Sequence, residues 1–274
     1  MTEHVSGASP TKETLREEMF RQATDAFEHC VSRYSVGLVF GERGQHVDTA
    51  SGVAVAWRGR HVIVTAKHVF PEGAEDQGVT LILPRDRPLH RGDGVGQLPP
   101  NDLDCVIPMP RVAVVRSNSE DLAYFEVNRS IGDASDVEYY ELPSIAVTPP
   151  SGTRCALSGF PEDLSGRISD EEVVVRLANR WSEVAKPGTA GRFLKGFDSE
   201  AHFLMEFRKA DKGKRPEGFS GGGVWFPLRQ SSDTQLWRAV PGLAGVQSAW
   251  FPNRALTLSV RVECLVRFLD QALV

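Results

Sequence analysis

Two hydrophobic periods divide the chain. Between Thr11 and Tyr34 the apolar residues fall at Leu15, Met19, Phe20, Ala23, Ala26, Phe27, Cys30, Val31 and Tyr34, the 3.6-residue repeat of an amphipathic helix. Ser9 and Pro10 supply an N-cap and a first helical position, with Glu13 in the first turn. Such a stripe packs across a neighbouring sheet or docks a partner protein. From Ser35 the period changes to that of strands, at 36–40, 52–57, 61–65, 79–83, 112–115 and 122–127, with a hairpin at Arg58-Gly59-Arg60. Six such strands make one small barrel, and the Gly/Pro/Asp-rich residues 84–110 read as loops on its rim.

A turn-rich stretch ending in Pro149-Pro150 then separates this set from a second one. The second has strands at 154–161, 172–177, 203–207, 223–226, 237–240, 243–248 and 256–260. It closes with an amphipathic helix over 262–273, where Cys264, Leu265, Phe268, Leu269 and Leu273 share a side. The expected class is all-β: two six-stranded antiparallel β-barrels with an N-terminal and a C-terminal α-helix. The expected divisions are a tail and helix (1–34), a first barrel (35–128), a linker (129–150) and a second barrel with its helix (151–274).

Composition changes this picture little. The 274 residues, 41% hydrophobic and 24% charged, are those of an ordinary globular chain long enough for a sizeable core. A net charge of −5 argues against nucleic acid as the main partner, and the basic run from Lys209 to Arg215 reads as a solvated loop. The first ten residues lack the basic and then apolar regions of a secretory signal. No stretch approaches the roughly 18 continuous apolar residues that a membrane helix needs, so a cytoplasmic location without membrane contact is expected. Cys30, Cys105, Cys155 and Cys264 are scattered, with no CxxC pair and no Cys/His cluster of ligand spacing. Reduced thiols are expected, and neither a metal nor a cofactor.

The chemistry concentrates in Gly218-Phe219-Ser220-Gly221-Gly222-Gly223. Glycines permit positive φ and let a substrate backbone come close, so a serine among them is exposed on a tight turn. That turn aims the backbone N–H groups of Gly218 and Ser220 at one point, where they would stabilise an oxyanion. A serine attacks poorly unless a base takes its proton. Upstream, the β-branched run 62–65 leads through Ala66 and Lys67 to His68, and Asp121 opens the strand at 122–127. An imidazole takes up protons near neutral pH, and a carboxylate holds it in the required tautomer. Asp102 and Asp104 are rival carboxylates, but no comparable β-rich run follows them. His4, His29, His46, His61, His90 and His202 lack the strand-end setting and read as surface or structural.

The chain order His68, Asp121, Ser220 is that of the chymotrypsin-type triad. Through Thr65-Ala66-Lys67-His68-Val69, Asp121-Leu122-Ala123 and Gly218-Phe219-Ser220-Gly221-Gly222, the chain from about residue 35 onward resembles the trypsin-like serine peptidases of the chymotrypsin fold. Lys67 and Val69 stand where secreted animal members carry a cysteine near the histidine. No small apolar pair of the kind freed by zymogen cleavage is present either, so the resemblance is to disulfide-free bacterial and viral members. It implies that Ser248 and Trp250, in Gly245-Val246-Gln247-Ser248-Ala249-Trp250, line the wall of the specificity pocket. Trp250 replaces a common glycine there and would favour a small P1 residue. Lys214 or a neighbour falls at the pocket base, against a preference for basic residues.

The expected function is an intracellular serine endopeptidase acting on protein or peptide substrates through an acyl-enzyme, gated by a regulatory partner that the N-terminal helix would dock. The alternatives are a silent binding module on a protease fold and an acyl hydrolase with a non-peptide substrate.

Overall fold

The computed structural model describes residues 11–40, 48–70, 78–83, 106–109, 111–127, 137–162, 166–167, 173–174, 177–186, 188–189, 194, 196–207, 217–228 and 240–273. Helix α1 (Lys12–Ser32) starts at Thr11, whose Oγ1 accepts from the Thr14 N–H at 3.2 Å. The cap is therefore Thr11, and Ser9 and Pro10 lie outside the described residues. Only part of the expected stripe is used. Phe27 and Val31 are buried, whereas Leu15, Met19 and Phe20 are 48%, 40% and 60% exposed. The C-terminal turns of α1 meet the body of the protein through the Phe27 and Trp181 rings (centroids 5.2 Å apart) and through Trp181 Nε1, which donates to Glu28 Oε1 at 2.7 Å.

The first sheet holds β1 (Ser35–Phe40), β2 (Asp48–Trp57), β3 (Arg60–Thr65), β4 (Val79–Ile82), β5 (Val106–Met109), β6 (Val115–Arg116), β7 (Ala123–Glu126) and β8 (Tyr140–Glu141). Its order is β5-β4-β1-β2-β3-β7-β6, antiparallel throughout, with β8 added parallel to β2. Arg58 and Gly59 both take positive φ, 49° and 80°, which gives the β2–β3 hairpin a two-residue turn matched to strand twist. Two strands exceed the six expected. β5 falls in the stretch read as rim loop: its Pro108 is tolerated because β5 is an edge strand. β8 falls in the expected linker. Of the strand expected at 112–115 only Val115 lies in a strand, forming the two-residue β6 with Arg116.

The second sheet runs β12-β9-β14-β15-β16-β13, all antiparallel. Its strands are β9 (Arg154–Gly159), β12 (Ala178–Glu183), β13 (His202–Glu206), β14 (Gly223–Leu228), β15 (Val240–Phe251) and β16 (Leu256–Arg261), while among the described residues β10 (Gly166–Arg167) and β11 (Val173–Val174) pair with each other alone. The strand expected at 172–177 is thus only β11. The unexpected β12 is polar because it is a sheet edge beside α1, where Asn179 Nδ2 donates to Ser32 Oγ at 3.2 Å. The pieces expected at 237–240 and 243–248 join in the twelve-residue β15; residues 237–239 lie outside the described residues.

Helix α2 (Val262–Ala272) follows β16 directly and buries Cys264, Leu265, Phe268 and Leu269. One core joins the two curled sheets. It takes Val53, Val55, Val62, Val64, Leu122 and Tyr124 from the first sheet side, and Ala156, Trp225, Leu243, Val246 and Val260 from the second. Phe27 and Val31 of α1 and the apolar face of α2 complete it. Among the described residues no helix is long and apolar enough to cross a membrane.

Candidate active site

Strand pairing explains how His68 and Asp121 meet. β3 and β7 are antiparallel neighbours with Thr65 opposite Ala123, so the residues just after β3 and just before β7 emerge at the same edge. A 3₁₀ turn, Lys67–Val69, follows Thr65 and Ala66. The His68 N–H donates to Asp121 Oδ1 at 3.0 Å, and Nδ1 lies 2.7 Å from Oδ2. Ser248 Oγ donates to the same Oδ2 at 2.6 Å. Ser248 is free to do so because the β15–β16 register shifts between Gln247 and Ala249, and a bulge re-aims the side chain at its apex. Burial pushes the Asp121 carboxyl up. The hydrogen bonds from His68 and Ser248 outweigh it and hold the group below its ordinary value. The His68 side chain is 50% exposed and that of Asp121 is 25% exposed. An imidazole whose Nδ1–H donates a hydrogen bond to a carboxylate keeps Nε2 free to accept a proton.

The glycine-rich turn follows from close approach. Gly218 and Gly221 both have φ of 87°, and a Cβ at Gly221 would overlap Thr65 Oγ1 and the Ser51 carbonyl oxygen. Phe219 is the anchor: it is fully buried with Cys155, Leu157, Phe203 and Val224. The Glu217 carbonyl accepts from Glu162 N–H at 2.8 Å and that of Phe219 from Gly222 N–H at 2.7 Å. In a trans peptide the N–H points opposite to the C=O, so these bonds turn the Gly218 and Ser220 N–H groups to the other side. Among the described residues neither N–H has a protein acceptor. Gly221 N–H donates to Gln247 carbonyl at 2.8 Å, next to Ser248, and so ties the turn to the strand that holds Asp121. Ser220 is half-buried, and among the described residues no hydrogen bond joins its Oγ to His68.

Ser248 is buried and Trp250 half-buried. The Trp250 ring meets Phe207 edge-on at 6.2 Å. β14 pairs with β15 only as far as Gly223 opposite Val246, so Ser248, Ala249 and Trp250 have β16 on one side and no strand on the other among the described residues. Lys214, Asp102 and Asp104 lie outside the described residues, as do His4, His46 and His90. His61 stacks on Tyr139 at 4.1 Å, and His202 Nδ1 accepts from the Asp198 N–H at 3.1 Å. Burial pushes His202 down, opposed by Asp198, Glu120 and Asp121. Cys30, Cys155 and Cys264 are free thiols, and burial raises that of Cys155 to about 12. Among the described residues no three His, Cys, Asp or Glu side chains group as a metal site. Sequence reasoning gave Ser248 a place in a pocket wall but missed its bond to Asp121. It missed Ser51 altogether, whose N–H donates to the Ser220 carbonyl at 2.9 Å.

No protein-family model and no curated protein matches the chain. Solved structures do. The serine endoprotease from Yersinia pestis is similar over 96% of this chain and 67% of its own, with a TM-score of 0.54 and 15% identity. The structure of GrC is similar over 90% of this chain and 96% of its own, with a TM-score of 0.54 and 18% identity. Two curled antiparallel sheets with these neighbours are the chymotrypsin-like fold.

Proposed function

Starting from a chymotrypsin-like fold, we propose that this chain is a serine endopeptidase in which Ser220 is the nucleophile, His68 the general base and Asp121 the group that orients His68. The observation that carries this reading is the two-point contact of His68 with Asp121, at 2.7 Å and 3.0 Å. It fixes the tautomer whose Nε2 takes a proton. Ser220 Oγ attacks the scissile carbonyl as His68 Nε2 accepts its proton. The carbonyl oxygen becomes an oxyanion, held by the Gly218 and Ser220 N–H groups. His68 then returns the proton to the leaving amine, and water releases the acyl group by the same steps in reverse order. Ser220 and His68 close to hydrogen-bond distance in the substrate complex, since such contacts are often long in free enzymes.

The open side of Ser248, Ala249 and Trp250 favours a peptide over other acyl compounds, because an extended peptide adds to such an edge through main-chain hydrogen bonds. Cys30, Cys155 and Cys264, the cysteines among the described residues, are free thiols that suit a reducing compartment and support a cytoplasmic location. The test is incubation with an unfolded protein and with a simple ester, the products being identified by mass spectrometry. New peptide termini from the wild type, absent with Ser220→Ala, are expected. Ester turnover without peptide cleavage would make the protein an acyl hydrolase of another substrate class, and no turnover of either would count against an enzyme that acts without a partner and favour a binding module or one gated by a partner.

A further inference from the structure

We propose that Ser51, on β2 in the first sheet, is a positioning residue that sets the oxyanion-binding turn of the second; its role in turnover rests on the endopeptidase reading above. Ser51 is fully buried, and its polar groups engage three segments: the glycine-rich turn, Phe160 and Thr65. Its Oγ donates to the Gly218 carbonyl at 2.6 Å and accepts from the Phe160 N–H at 2.8 Å. Its N–H donates to the Ser220 carbonyl at 2.9 Å, and its carbonyl accepts from Thr65 Oγ1 at 2.7 Å. Thr65 ends the strand that leads to His68. One serine thus joins the histidine end of the first sheet to the nucleophile turn of the second.

Four successive carbonyls of the turn, from Glu217 to Ser220, each accept a hydrogen bond, and Ser51 supplies the donors for Gly218 and Ser220. Those two peptides lie on either side of the Phe219–Ser220 peptide, so they bracket the Ser220 N–H that would meet the oxyanion. The hydroxyl matters because glycine at φ of 87° has no Cβ to hold it. Without Ser51 Oγ the Gly218–Phe219 peptide has lost its donor and can rotate, which loosens the adjoining Phe219–Ser220 peptide and the Ser220 N–H it carries, while the Gly218 N–H stays on the peptide that Glu162 holds. The Phe160 N–H would lose its acceptor in the same step. The space is tight as well: a Cβ on Gly159 would lie 2.6 Å from Ser51 Oγ.

The experiment compares wild type, Ser51→Ala, and the isosteric pair Ser51→Thr and Ser51→Val, which share a packing cost and differ in the hydroxyl. Two readouts are taken on folded protein: kcat and KM on a peptide substrate, and amide hydrogen exchange at Phe160, Gly221 and Gly222. Loss of the hydroxyl is expected to lower kcat about 100-fold, in the range for one oxyanion donor. KM stays within about twofold, because substrate binding on β15 is untouched, and Ser51→Thr recovers kcat relative to Ser51→Val. Exchange at the three amides is expected to quicken about tenfold in Ser51→Ala, with β13 and β16 unchanged. Unchanged exchange and unchanged kcat in Ser51→Ala, or a loss confined to KM, would overturn the role of Ser51. Exchange that depends on Ser51 in a chain that cleaves nothing would support the positioning and count against the endopeptidase reading alone.

Discussion

At the scale of single residues, the site is a set of short hydrogen bonds around Asp121, and its protonation is where they can be read. Folded, Asp121 binds its proton more weakly than in the unfolded chain, since the bonds from His68 and Ser248 outweigh burial. It therefore contributes stability above its unfolded value, about pH 4, and loses it as pH falls through the lower folded value. Thermal melts of wild type and Asp121→Asn should show the stability of the wild type relative to the variant declining below about pH 4. A difference constant down to about pH 2 would contradict it. At neutral pH the same variant presents an amide to His68 Nδ1 and favours the wrong tautomer, so kcat should fall about 10⁴-fold with folding intact. The meeting of His68 with Asp121 was legible in the sequence, because each sits in a short motif at a strand end, and so was the tight glycine turn that carries Ser220. Ser51 was not. Its significance lies in partners at Gly218, Phe160 and Ser220, far away along the chain, and an Ala50-Ser51-Gly52 run in a strand carries no local mark of them.

At the scale of elements, strands with β-branched runs and marked turns were readable, as β1, β2, β3, β7 and β16 illustrate. The missed elements owe their conformation to neighbours. β5 contains Pro108 and is held by pairing with β4, β8 has two residues and leans on β2, and β12 is a half-buried edge beside α1. The stripe along α1 was readable as a helix, but the sequence does not say how far the body of the protein extends beneath it. Phe27 is buried against Trp181 and Phe20 is 60% exposed. Phe27→Ala should therefore cost about 3 kcal/mol or more in urea unfolding, while Phe20→Ala stays within about 0.5 kcal/mol. Equal effects would show that the N-terminal half of α1 is packed in solution.

At the scale of the molecule, the two sheets are not independent units, because the largest core draws on both and on both helices. Unfolding in denaturant should be a single transition, with tryptophan fluorescence and far-UV circular dichroism coinciding; two separated transitions would contradict a shared core. The two-sheet, all-β plan was legible in the sequence from the order of its motifs, whereas the seam between the sheets was not, since alternation marks a buried face without saying what covers it. That seam brings the second sheet's Ser248 onto Asp121, which holds His68, and the first sheet's Ser51 onto the turn that carries Ser220. The central claim is that this arrangement activates Ser220, and it is tested most directly by intact mass after treatment with a fluorophosphonate. The wild type should gain one adduct, lost in both Ser220→Ala and His68→Ala. An adduct that persists in Ser220→Ala, or none on folded wild type, would contradict the claim.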